Sequence, residues 1–238
     1  IIRLDLADLE SVREFAEQFE TRYDRLDLLI NNAGVMIPPY TQTEDGFELQ
    51  FGANHLGHFA LTNLLLERLL QTPGSRVVNV SSMAHRAGHI DFSDLNWEQR
   101  KYKKWQAYRD SKIANLYFTY ALKRRLELEN ADVIVAAAHP GWTATELQRH
   151  SGPTAALNHL FAQKISMGAL PTLYAALGSE VQSGDFYGPG GFLEMRGYPK
   201  QVTPNQRAQE TEIAERLWKA SEHLTGVSYP VKMNPASA

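Results

Sequence analysis

The chain has 238 residues, 43% hydrophobic and 21% charged, with a formal net charge of −3 and no cysteine. That composition excludes disulfides, Cys-ligated zinc and thiol catalysis, and it carries no polycationic signal for a nucleic-acid partner. No apolar run approaches the ~18 residues of a membrane span, acids interrupt the first apolar residues at once, and a cytoplasmic location is the expectation.

In chain order, residues 1–5 (IIRLD) read as the end of a strand. Residues 8–21 read as a helix, with Leu9, Val12, Phe15, Ala16 and Phe19 on one face. Residues 26–30 form a short apolar run, broken only by Asp27 and stopped by Asn31-Asn32-Ala33-Gly34, which suits a central parallel strand. Residues 43–70 are mostly helical in pattern. RVVNV at 76–80 is a second buried strand, ending at Ser81-Ser82. A long helix follows over 107–129, then the strand VIVAAA at 133–138, ending at His139-Pro140-Gly141. Residues 168–177 read as another helix, and 185–187 as a last short strand before GPGG. The segment 142–164 is the least regular and is expected to be a lid. Helices alternating with buried strands predict an α/β fold, a doubly wound parallel sheet of Rossmann type. In such sheets ligands bind beyond the carboxyl ends of the strands. NNAG, the serine pair and His-Pro-Gly all fall at such ends.

Tyr108 and Lys112 stand four apart on the long helix and so share a face. A free phenol titrates near pH ~10, and an ammonium beside it lowers that value toward usefulness as an acid–base. The motif is weak alone, and its neighbours strengthen it. NNAG (31–34), Asn54 in NHLG, Ser81-Ser82, Tyr108-x-x-x-Lys112 and PGWTAT (140–145) occur in that order. The set resembles the short-chain dehydrogenase/reductase family, over residues 5 to about 191. The longer than usual stretch between Ser82 and Tyr108 (HRAGHIDFSDLNW), with YRDSK and NHLGHF, is similar to the branch holding retinol dehydrogenases and protochlorophyllide reductases. The cysteines of the pigment-reducing enzymes are missing.

The resemblance implies an NAD(P)-dependent oxidoreductase, transferring a hydride between NADP(H), with NAD as the alternative, and an alcohol or carbonyl of an apolar small molecule. It implies Tyr108 as acid–base, Lys112 as its partner and ribose contact, Ser82 as donor to the reacting oxygen, and Asn54 as holder of a relay water. Cofactor contacts are implied at Asp5, Leu6, Asn31, Ala33, Gly34, Pro140, Gly141, Thr143 and Thr145, besides Tyr108 and Lys112. No metal is needed, because the nicotinamide carries the redox chemistry. A homo-oligomer paired through helices 43–70 and 107–129 is a further expectation. A non-enzymatic nucleotide-binding or scaffold protein is the alternative function, since the family's TGxxxGxG loop does not occur here. GPGG at 188–191 does not replace it, because no helix follows. The chain is therefore expected to be one Rossmann-type catalytic domain over 1–238, N-terminally incomplete, lacking two strands and the residues that choose NAD or NADP. Its first predicted central strand would then expose an unpaired edge.

Four lesser features carry plain readings. His55 and His58 are packing or surface residues, without a third metal ligand. His85 and His89 are candidates for the substrate mouth. Lys101, Lys103 and Lys104 beside Trp105 are a solvated face. Tyr117, Phe118 and Tyr120 are core or a subunit contact.

Overall fold

A computed structural model describes residues 1–143 and 163–230. Its sheet has five strands in the order β1 (Leu28–Asn31), β2 (Ser75–Val80), β3 (Val133–Ala138), β4 (Phe186–Pro189) and β5 (Pro199–Gln201). The first four run parallel, and β5 returns antiparallel to β4. Helices cover both faces, as a doubly wound fold requires. On one face Val77, Val135, Ala137 and Phe186 pack under α3 (Gly57–Leu64) and α5 (Lys104–Leu128). On the other Val78, Ala136 and Ala138 meet Ala175 and Ala176 of α6 (Ile165–Leu177). Neighbouring residues of one strand thus serve opposite layers, which is why β2 and β3 read as unbroken apolar runs.

The N-terminal expectation is corrected. Residues 1–5 adopt no strand and pair with nothing in the sheet. Asp5 turns the chain instead: its carboxylate accepts from Ala7 N–H at 2.9 Å, and its own N–H donates to Ser11 Oγ at 3.0 Å. Asp8 then caps α1 (Leu9–Arg22) by accepting from the N–H groups of Glu10 and Ser11. Among the described residues β1 pairs only with β2, and Ile30 is 38% exposed.

The predicted 43–70 helix begins later and is not continuous. It opens as α2 (Leu49–Phe51), widens into a π turn (Gly52–Leu56), continues as α3, breaks at Leu65 and closes as α4 (Leu66–Leu70). Strand β5 and helix α7 (Thr211–Thr225) were not expected, nor were the short 3-10 turns. Helix α7 covers α5: Trp218 lies 5.7 Å from Phe118 and 4.9 Å from Phe59, ring centre to ring centre. Tyr117 and Phe118 are therefore buried within the chain itself.

His55 and His58 belong to the same interior. His55 Nε2 pairs with Ser221 Oγ at 2.9 Å, and His58 Nδ1 with the Asn54 carbonyl at 2.9 Å. Burial pushes them down to about 3 and about 4 respectively. Folding therefore holds both neutral, while the unfolded chain protonates them near pH 6.5. Stability is fully present above that pH and falls as pH drops below it, by about 2 kcal/mol per histidine at pH 5. Burial raises the Asp110 carboxyl to about 6, which offsets part of this loss. Denaturant titrations at pH 7.5 and 5 should show His58→Gln losing less stability than the parent chain. Equal losses would remove the neutral buried histidine from the account.

Candidate active site

The carboxyl ends of β1, β2 and β3 border a cleft of about 1070 Å³. Its walls include Asn32, Ala33 and Gly34 after β1, Ser81 to Ala84 after β2, Tyr108 and Lys112 from α5, and Pro140 to Thr143 after β3. The rest of the wall is largely apolar and includes Met36, Trp105 and Leu173.

Tyr108 and Lys112 sit one turn apart on α5 and are both buried. The Lys112 ammonium lies 5.7 Å from the Tyr108 ring centre. Its hydrogen bond among the described residues reaches the Val80 carbonyl at 3.4 Å. Burial lowers Lys112 to about 8 and raises the Tyr108 phenol, while an interaction with the Ser82 side chain acts on the phenol in the opposite direction. The sequence led to the expectation of a phenol lowered by its lysine. In this structure the phenol is raised instead, because burial penalises the phenolate and the ammonium beside it is itself desolvated.

The two serines divide their work. Ser81 Oγ donates to the Lys112 carbonyl at 2.7 Å, tying β2 to α5. Ser82 caps the 3-10 turn Met83–Ala87, with its Oγ accepting from Ala84 N–H at 3.2 Å. It is the hydroxyl that meets the phenol.

Asn54 lies in the π turn, behind the cleft wall. Its Oδ1 accepts from Val35 N–H at 2.8 Å, and its Nδ2 donates to the Val35 carbonyl at 2.9 Å and Ser111 Oγ at 3.0 Å. The amide thus clamps the residue following NNAG by both backbone groups. Gly34 makes the clamp fit: a Cβ there would stand 2.6 Å from Asn54 Oδ1 and 3.7 Å from Lys112 Nζ.

Other predicted residues lie elsewhere. Asn31 points into the core, where its Nδ2 donates to Asn79 Oδ1 at 2.7 Å and Thr62 Oγ1 at 2.9 Å. It is Asn32 that lines the cleft. Strand alternation carries the signal, since Asn32 shares the face of Ile30. Asp5 is exposed, and neither it nor Leu6 is among the lining residues. Thr145 lies outside the described residues, as does most of the expected lid. Of the mouth histidines, His85 is buried, with Nδ1 against the Ser82 carbonyl at 2.6 Å and Nε2 accepting from Asn205 N–H at 3.1 Å. His89 lines a separate cleft beside Tyr117 and Arg207. Trp105 and the α6 residues Ile165, Gly168, Ala169, Thr172 and Leu173 were missed.

The residues fit a hydroxyl-rich, flat cofactor. Among the described residues the three donors of this buried ammonium have one long hydrogen bond between them, and the glycine turn lines the cleft beside it. Among the described residues no three His, Cys, Asp or Glu side chains gather as a metal site.

The sequence model described as short chain dehydrogenase matches residues 1–156. Human retinol dehydrogenase 13 is 46% identical to the chain, over 95% of it and 69% of that protein. The chain belongs to the short-chain dehydrogenase family, in its retinol-dehydrogenase-like branch. Mouse retinol dehydrogenase 12 is 43% identical over 95% of this chain and 70% of that one. The chain therefore spans about two thirds of the length of these relatives. A crystal structure of an uncharacterized protein from Mycobacterium Paratuberculosis superposes with a TM-score of 0.80 at 45% identity, covering 96% of this chain and 76% of that one. Family membership makes the protein an oxidoreductase, of a family in which NAD(P) dependence is typical. No described helix of this dehydrogenase is long and apolar enough to cross a membrane.

Proposed function

We propose that the protein transfers a hydride between NADP(H) and an alcohol or carbonyl carbon of an apolar small molecule, with Tyr108 as the acid–base. The observation that carries this reading is the gathering of Ser82, Tyr108 and the buried Lys112 on the wall of one largely apolar cleft. The branch favours NADP(H) over NAD, and relatives named for retinol, an apolar alcohol, support the substrate class. When bound, the nicotinamide supplies the hydride chemistry. Lys112 would hold its ribose hydroxyls, with the turns at 32–34 and 140–143 on either side.

In the reductive direction negative charge develops on the substrate oxygen. Ser82 donates a hydrogen bond to that oxygen, and the phenol gives up its proton. Burial keeps the phenol protonated at neutral pH, which suits it as the donor. The Lys112 ammonium then favours the phenolate left behind. Asn54 keeps the glycine turn in place through Val35, and its part in proton transfer goes through that positioning.

Nicotinamide absorbance with a panel of apolar aldehydes and ketones tests the reading. No turnover with any of them, under conditions where NADPH binds, would discard it. Reductive kcat should be level below pH about 8 and fall above it, as Lys112 loses its proton. A fall confined to pH above 10 would assign the limiting proton to the phenol instead.

A further inference from the structure

An ion pair and a buried histidine join two of the cleft's turns and take no part in the reaction above. Glu194 follows Leu193 in a loop where both residues hold left-handed backbone, with φ of 58° and 50°. Such a conformation costs a non-glycine residue about 1–3 kcal/mol, so something must hold it. One Glu194 oxygen accepts from Arg86 Nη2 at 2.7 Å, and the other pairs with His139 Nε2 at 3.0 Å. Arg86 lies in the 3-10 turn that Ser82 caps. His139 is fully buried at the end of β3.

The chain continues into the cleft wall. His139 Nδ1 accepts the Gly141 N–H at 3.2 Å. That bond leaves Nδ1 without a proton and puts the ring proton on Nε2, where it donates to the carboxylate. The loop also reaches the same turn by backbone, since Trp142 N–H donates to the Met195 carbonyl at 2.8 Å. Gly141 has a φ of +66°, and a Cβ there would lie 2.5 Å from the Met195 carbonyl oxygen and 3.0 Å from that of Glu194. Hydrogen bonding to His139, then to Arg86, keeps the Glu194 carboxyl below its usual range, so it is an anion at neutral pH.

We propose that Glu194 is a positioning residue, a latch that locks the turn at 140–143 to the turn after Ser82 and so sets the cofactor-facing wall of the cleft. The inference deepens the proposed function and rests on it for the cofactor. The latch acts through His139 on the Gly141 backbone and through the Met195 carbonyl on Trp142, and it touches no reacting atom.

The test uses Glu194→Ala and the isosteric Glu194→Gln. Glu194→Ala should raise the KM for NADPH by roughly tenfold or more while kcat stays within roughly threefold, the split expected when a binding wall shifts and the acid–base does not. Without cofactor, amide exchange at Gly141 and Trp142 should quicken by about tenfold or more, with β2 and α5 unchanged. Glu194→Gln keeps one acceptor and should fall between the two proteins. Uniformly faster exchange would mark a merely structural role and overturn the latch, as would unchanged exchange at Gly141. A fall in kcat at unchanged KM would overturn it too. If NADPH supports no turnover in the parent protein, the proposed function falls, and the exchange comparison decides the latch alone.

Discussion

Tyr108→Phe is expected to lower kcat about a thousandfold, roughly 4 kcal/mol of transition-state stabilisation. The substitution removes one oxygen and leaves the buried ring in place, 6.4 Å from Trp105 between ring centres. Helix α5 should keep its packing, and the dissociation constant for NADPH should change little, because Lys112 and both turns remain. Stopped assays with a sensitive carbonyl substrate measure the residual rate, and quenching of protein fluorescence reports cofactor binding. A variant that retains a tenth of the activity would show that the proton comes from elsewhere. A variant that no longer binds NADPH would show that the phenol holds the cofactor and does not merely serve the substrate oxygen.

Phe59→Ala should cost about 3–5 kcal/mol of stability, the range for truncating a fully buried aromatic. Phe59 has no exposed surface and stands between three aromatic neighbours, Phe118 at 5.4 Å, Trp218 at 4.9 Å and His55 at 6.2 Å. It is where α3, α5 and α7 meet. For a chain of this size the loss corresponds to a melting temperature lower by roughly 10 °C. Circular dichroism melts would show it. Removing Phe59 and Trp218 together should cost less than the sum of the single losses, because each forms part of the other's cavity. A loss below about 1 kcal/mol would mean that α7 closes over the gap or contributes little.

Much of this was readable from the amino acids, and the reasons can be traced to particular residues. Val133–Ala138 was expected at the bounds it has, because a strand buried on both faces has polar neighbours only where it stops. Tyr108 and Lys112 were placed together by helix geometry alone. The order of motifs does not separate the two adjacent asparagines, and only strand alternation divides the pair between core and wall. The π turn was hidden, since GANHL holds no residue that a regular helix would refuse. Helix α7 did leave a signal: Ala214, Leu217, Trp218, Ser221 and Thr225 recur at helical spacing and are all buried. The α6 wall of the cleft was out of reach, because it depends on how far that helix leans over the strand ends. The phenol's titration was misjudged for a related reason, as a spacing of four fixes proximity but not desolvation.

The widened turn at Gly52–Leu56 has one more geometric meaning. An α-helix advances about 100° per residue, and a single wider turn resets that phase. The segment thus enters with one stripe inward and leaves with another. Asn54 can look toward the nucleotide turn while Phe59, one helical turn and a residue later, looks toward the C-terminal helix. A regular α-helix would set these two side chains about 140° apart, and the wider turn changes that angle to the one the two neighbouring surfaces require. The dislocation lets a single rod answer to two different interiors.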